Sequence, residues 1–78
     1  MDQQKALEWL ADVLGVNGRT LTIDDTRTTV REWDSLGSLL LLSRLEEDHG
    51  IVISADEIEE IDSIKEICDI LERKRTFG

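Results

Sequence analysis

The residues in this chain best placed to do chemistry are Glu32-Trp33-Asp34-Ser35-Leu36. They close a stretch rich in threonine and glycine and open one with helical, leucine-rich spacing. A serine at such a join holds its hydroxyl at the first turn of a helix. Four backbone N–H groups there lack intrahelical partners, and the positive end of the helix dipole stabilises an attached anion by roughly 0.3–1 kcal/mol at an exposed site. Ser35 is therefore a candidate for carrying a phosphate. On position alone the simpler account is a serine that only caps the helix, a role open to Asp34 as well. No neighbour of Ser35 in the sequence looks like a general base, so the serine reads as the acceptor in a reaction and not as a catalyst.

The other reactive side chains read as structural. His49 stands without a second histidine or cysteine at ligand spacing and is expected to pack or cap at a helix end. Cys68 is the single cysteine, which excludes an internal disulfide and a multi-thiolate metal site, and it falls on an apolar stripe as a small buried group. Ser38 and Ser43 lie inside the second helix, away from its free N–H groups. The acidic stretch from Glu46 to Glu57 lacks the alternating donors and the central glycine of a calcium loop.

Four helical segments must position Ser35. The first runs from about Gln3 to Leu14, with Leu7, Leu10, Ala11 and Leu14 on its stripe, Trp9 and Val13 widening it, Asp2 as cap and Gly15 as stop. Residues 15–34 form a long loop, and a loop of that length in so short a chain is usually functional. Within it Leu21, Ile23 and Val30 are expected to pin the backbone to the core, since Thr20-Leu21-Thr22-Ile23 has no second strand to pair with. The second helix runs from about Ser35 to His49 and stops at Gly50. Ile51-Val52-Ile53 is a connector. Ser54 and Glu57 have capping-box spacing and open a short helix with Ile58 and Ile61, and Ser63 and Glu66 repeat the signal. The last helix carries Ile64, Ile67, Cys68 and Leu71 and ends in Arg73-Lys74-Arg75, a basic run suited to a helix C-terminus. The fold expected over residues 1–78 is a single all-α domain, a four-helix bundle of three longer helices and a short one.

Composition limits the function classes. Seventy-eight residues leave little room for a deep active site. Proline is absent, which favours helices over turn-rich β architectures. The net charge of −9 argues against nucleic-acid binding, where affinity comes from neutralising phosphates. Nine acids and one base, Lys65, lie between Glu46 and Glu66, either as a solvated surface or as a docking face for basic partners. The N-terminal residues lack the apolar block of a signal peptide, and no run is long enough to span a bilayer, so a cytoplasmic monomer is expected.

Asp34-Ser35-Leu36, placed after a long loop and followed by Leu39, Leu42, Leu45 and Glu46-Glu47-Asp48, resembles the Asp-Ser-Leu signature of the acyl carrier and peptidyl carrier family. The resemblance spans essentially the whole chain and is strongest from Glu32 to Glu60. It implies 4′-phosphopantetheine on Ser35, transferred from coenzyme A by a phosphopantetheinyl transferase that supplies metal and base. Asp34 would position the serine or be read by the transferase, with Leu36 beside it. Acyl or aminoacyl groups would ride as thioesters, and the chain itself would not be an enzyme. Loading and transferring enzymes with basic docking patches would meet Leu40, Glu46, Glu47, Asp48, Asp56 and Glu57, with Glu59 and Glu60 adding long-range steering.

Helical spacing sets Leu36, Leu40 and Glu47 along the flank of Ser35, and turns Leu39, Leu42, Leu45 and His49 inward with Leu41 beside them. Leu40 is open to a core or an interface role. Gly37 and Leu40 stand where carriers of fatty-acid synthesis have acids, which points to a specialised polyketide, peptide, cell-envelope or lipid-modifying pathway. Gly37 either lets an enzyme approach closely or is tolerated drift. Carriers for D-alanine transfer have a similar Asp-Ser-Met-Gly stretch. The alternatives are a carrier in fatty-acid synthesis and an acidic helical interaction module without a prosthetic group.

Overall fold

The computed structural model describes residues 2–73. Four helices follow in order: α1 (Gln3–Leu14), α2 (Ser35–His49), α3 (Ala55–Glu60) and α4 (Ile64–Arg73). The architecture is the expected all-α bundle, and α1 packs against α2 and α4 while α2 also packs against α3. Lys74 and Arg75 of the expected basic terminus lie outside the described residues.

Local capping chemistry fixes the helix ends. The Asp2 carboxylate accepts from the Lys5 N–H at 2.9 Å and starts α1. Gly15 and Gly50 end α1 and α2 with φ of 73° and 65°, a left-handed conformation that costs glycine little. Behind Gly50, the Ile51 N–H reaches back to the Leu45 carbonyl at 3.0 Å, which turns Ile51 into the core. Ser54 and Glu57 form the reciprocal capping box of α3. At α4 the box is shifted. The Glu66 N–H donates to the Ser63 hydroxyl, but the Glu66 carboxylate accepts from the Asp62 N–H. That bond holds the Glu66 carboxyl below the usual range.

The core differs in register from the sequence expectation. On α1 the fully buried positions are Ala6, Leu10, Val13 and Leu14, with Leu7, Trp9 and Ala11 half-buried. On α4 Ile70 joins Ile64, Ile67 and Leu71, and Cys68 is half-buried, its thiol pushed up by that burial. The largest correction concerns α2. Leu39, expected inward, is exposed, and the inward row is Gly37, Ser38, Leu41 and Leu45, with Leu42 half-buried. The reason is steric, and lies in what packs against Gly37 and Ser38.

The long connection, residues 16–34, is built rather than slack. The Asp25 carboxylate accepts from the Thr22 N–H at 2.8 Å, from the Thr22 hydroxyl, and from the Thr29 hydroxyl at 2.8 Å. The Thr22 N–H, chief among these donors, holds the Asp25 carboxyl below the usual carboxylate range. The Arg27 N–H donates to the Asp62 carbonyl at 2.9 Å and the Ile64 N–H to the Asp25 carbonyl at 3.0 Å, stapling the loop to the α3–α4 junction. Leu21 and Val30 are buried as expected, while Ile23 is half-buried.

Candidate functional site

The site grows from the last turn of this loop. The Trp33 N–H donates to the Val30 carbonyl at 3.0 Å, and the indole is 3% exposed, so the segment before Asp34 is anchored in the core. Asp34 then adopts an extended backbone, and its carboxylate accepts from the Gly37 N–H at 2.9 Å. Asp34 is the N-cap of α2, which leaves Ser35 as the first helical residue with its side chain exposed. Among the described residues the N–H groups of Ser35 and Leu36 and the Ser35 hydroxyl have no hydrogen-bond partner. An anion tethered to Ser35 therefore finds two free donors and the positive end of a fifteen-residue helix.

Gly37 sets the position of that helix start. A Cβ at this position would lie 2.6 Å from the Glu32 carbonyl oxygen and 3.2 Å from Leu14 Cδ2. The glycine thus makes room for the chain's own backbone, not for an approaching enzyme, and its place in the sequence carries no information about partners. Glu32 is held from the other side by Arg19, whose guanidinium donates to its carboxylate at 2.8 Å and to the Thr29 carbonyl. The loop end, α1 and α2 meet at one small residue.

Arg27 is the second positioning residue, and sequence reasoning missed it. Its guanidinium donates to the Ser38 hydroxyl and to the Glu59 carbonyl, each at 3.2 Å, and lies 5.7 Å from the Trp33 ring centroid. Ser38 is 1% exposed, so this bond satisfies a hydroxyl that the core otherwise leaves unpaired. A lone arginine in a threonine-rich loop gave no signal of this.

The remaining predicted residues separate into two groups. Leu36, Leu40, Glu46 and Glu47 share the solvent face of α2 with Ser35, and the structure adds Leu39 to them. Asp56, Glu57, Glu59 and Glu60 are exposed on α3. Asp48 is engaged within the molecule. Its carboxylate accepts from the Trp9 indole N–H at 2.7 Å and from Arg44 at 2.8 Å, and these bonds hold its pKa below the usual range. His49 packs edge-on against Trp9, ring centroids 4.5 Å apart, and burial lowers its pKa. It stands fourteen residues from Ser35, about 21 Å along the helix axis, out of reach as a base. Among the described residues no group of three or more His, Cys, Asp or Glu side chains is arranged to hold a metal, and no helix is long and apolar enough to cross a membrane.

Comparison with known proteins agrees with this geometry. A sequence model of the family described as "Phosphopantetheine attachment site" matches residues 4–71, most of the chain. No curated protein and no solved structure matches.

Proposed function

We propose, from the premise that this chain belongs to the phosphopantetheine attachment-site family, that it is a non-enzymatic carrier modified on Ser35. Covalently held 4′-phosphopantetheine supplies a terminal thiol on which acyl or aminoacyl groups travel as thioesters. The observation that supports this site is the exposed Ser35 hydroxyl at the first residue of α2, beside two N–H groups without a partner among the described residues. In the loading reaction the Ser35 oxygen forms a bond to the phosphorus of the coenzyme A pyrophosphate that carries the pantetheine arm. The bond to the bridging oxygen breaks, adenosine 3′,5′-bisphosphate leaves, and the serine proton passes to a base of the transferase. The chain contributes a presented nucleophile and a helix end that stabilises the resulting phosphodiester. Asp34 orders that end by capping it, while its charge gives the phosphodiester no help.

The partners of this reading are a phosphopantetheinyl transferase in the cytoplasm and enzymes that load and unload the thiol. Glu46, Glu47, Asp56 and Glu57 would steer basic patches on those enzymes, together with Glu59 and Glu60. Asp48, already paired with Trp9 and Arg44, has less to offer a partner. The exposed Leu40 supports a specialised pathway, whether polyketide, peptide, cell-envelope or lipid-modifying, whereas Gly37 no longer bears on it. The test is to incubate the protein with coenzyme A and a broad-range phosphopantetheinyl transferase and weigh it intact. One added arm on wild type and none on Ser35→Ala is the expected result. No gain with several transferases would leave an acidic interaction module in which Ser35 is a helix residue only.

A further inference from the structure

We propose that the groove between α1 and the loop segment 19–23 shelters the cargo of Ser35's own arm, an uncharged acyl chain of about eight to ten carbons. The proposal rests on the carrier reading of Ser35 and names the cargo class that this reading leaves open. The groove encloses about 660 Å³, within the range that holds small-molecule ligands. Its floor is apolar: Leu21 is buried, and Leu7, Ala11 and Ile23 are half-buried. Its surroundings suit an uncharged chain. The one cation, Arg19, is already paired with Glu32 at 2.8 Å, and the one acid, Glu8, is exposed to water on the rim. The segment 20–23 alternates polar and apolar residues like a strand but pairs with none. Among the described residues the N–H groups of Leu21 and Ile23 have no hydrogen-bond partner, so they are donors for a carbonyl oxygen of the arm or its cargo.

The occupant follows from the tether. Arg19 stands at the head of the groove, and its partner Glu32 lies three residues before Ser35, at most about 11 Å of chain. Phosphopantetheine has about thirteen bonds between phosphorus and sulfur. At the rise of an extended backbone, about 3.3–3.6 Å for every three bonds, it spans roughly 15 Å and brings its thioester to the groove's head. From Ala11 the floor runs back along α1 to its first turn, roughly 12 Å, the length of about eight to ten carbons. The space under the first turns of α2 is taken. Gly37 receives the Glu32 carbonyl there, and Arg27 bridges α2 to α3 through the Ser38 hydroxyl and the Glu59 carbonyl. A chain entering at that point must part these bonds and leave Ser38 buried without its donor. Tethering makes a weak groove sufficient. A short flexible linker holds its end at an effective concentration on the order of millimolar, so a groove with a dissociation constant of about 1 mM is about half filled.

The probes are octanoyl-coenzyme A and acetyl-coenzyme A, each loaded onto the isotope-labelled chain by a broad-range phosphopantetheinyl transferase, with intact mass confirming one arm. Relative to the acetyl form, the octanoyl form should shift the amide resonances of Leu7, Ala11, Leu21 and Ile23 in heteronuclear NMR spectra. Ala11→Phe, which fills the floor, should abolish those shifts. Thr20→Asp, which brings a charge to the exposed rim, should abolish them too, and serves if far-ultraviolet circular dichroism shows that the phenylalanine disturbs the fold. Shifts centred on Leu41, Leu45 and Ile58 would place the cargo between α2 and α3 and overturn the proposal. So would identical spectra for the two loaded forms, or octanoyl shifts at the groove that survive both substitutions. A wild-type chain that takes up neither arm would instead remove the carrier reading itself, which keeps the two failures apart.

Discussion

Replacing Gly37 by alanine tests how the chain builds the start of α2, because two effects of known size oppose each other there. Helix propensity favours alanine over glycine by up to about 1 kcal/mol. Packing opposes it. The new Cβ would sit 2.6 Å from the Glu32 carbonyl oxygen, whereas carbon and oxygen in close contact stay about 3.3 Å apart, so the carbonyl must retreat by roughly 0.7 Å. Leu14 Cδ2, at 3.2 Å, must also give way. The carbonyl belongs to backbone fixed by the buried Trp33 on one side and the Arg19 pair on the other. Overpacking of this kind costs about 1–3 kcal/mol. The net expectation is a loss of about 0.5–2 kcal/mol, a fall in melting temperature of several degrees for a domain of this size. Urea unfolding followed by far-ultraviolet circular dichroism and by tryptophan fluorescence measures it. A Gly37→Ala protein more stable than wild type would show that propensity alone governs the position, and that the Glu32 backbone does not press on the helix.

Two further substitutions probe the supports of the site. Arg27→Met leaves the Ser38 hydroxyl buried without its donor and should cost about 1–3 kcal/mol in urea unfolding, with a smaller cost in a Ser38→Ala background. Equal costs in the two backgrounds would deny the coupling. His49 takes up its proton less readily when folded, because its ring is half-buried against Trp9 and its buried Nε2 has no partner among the described residues, so the unfolded chain protonates first. The stability this contributes is present above the ordinary value of 6.5 and is lost as pH falls through it towards the lower folded value. Wild type should therefore lose more stability than His49→Phe between about pH 7.5 and about pH 5.5, and parallel curves would contradict the assignment.

Much of this fold is written locally. Asp2, Gly15, Gly50 and the Ser54–Glu57 pair mark helix ends through bonds that span a few residues, and those ends fall where the spacing places them. The presence of Ser35 at the head of α2 is legible for the same reason. The face of α2 is not. Leu39 to Leu42 put leucine on every side of the helix, so the apolar pattern cannot choose a register. The choice is made by Gly37, which accepts the Glu32 carbonyl, and by Ser38, which accepts a bond from Arg27 eleven residues away. Both buried positions carry residues that a search for apolar stripes passes over. Asp48 escaped for a similar reason, since its partner Trp9 is thirty-nine residues distant. The consequence is functional. Leu39 moves from the core to the face that surrounds Ser35, and Asp48, expected among the docking acids, is held at the α1–α2 contact.

The most direct test of the central claim is to locate the arm on the chain. The protein is produced alongside an active phosphopantetheinyl transferase, digested, and its serine-containing peptides are fragmented by tandem mass spectrometry. The account predicts phosphopantetheine on Ser35, with Ser38, Ser43, Ser54 and Ser63 unmodified, because Ser35 alone is both exposed and the first residue of α2. An arm found on any of the other four, or a folded protein that leaves Ser35 bare under conditions that modify other carriers, would contradict it.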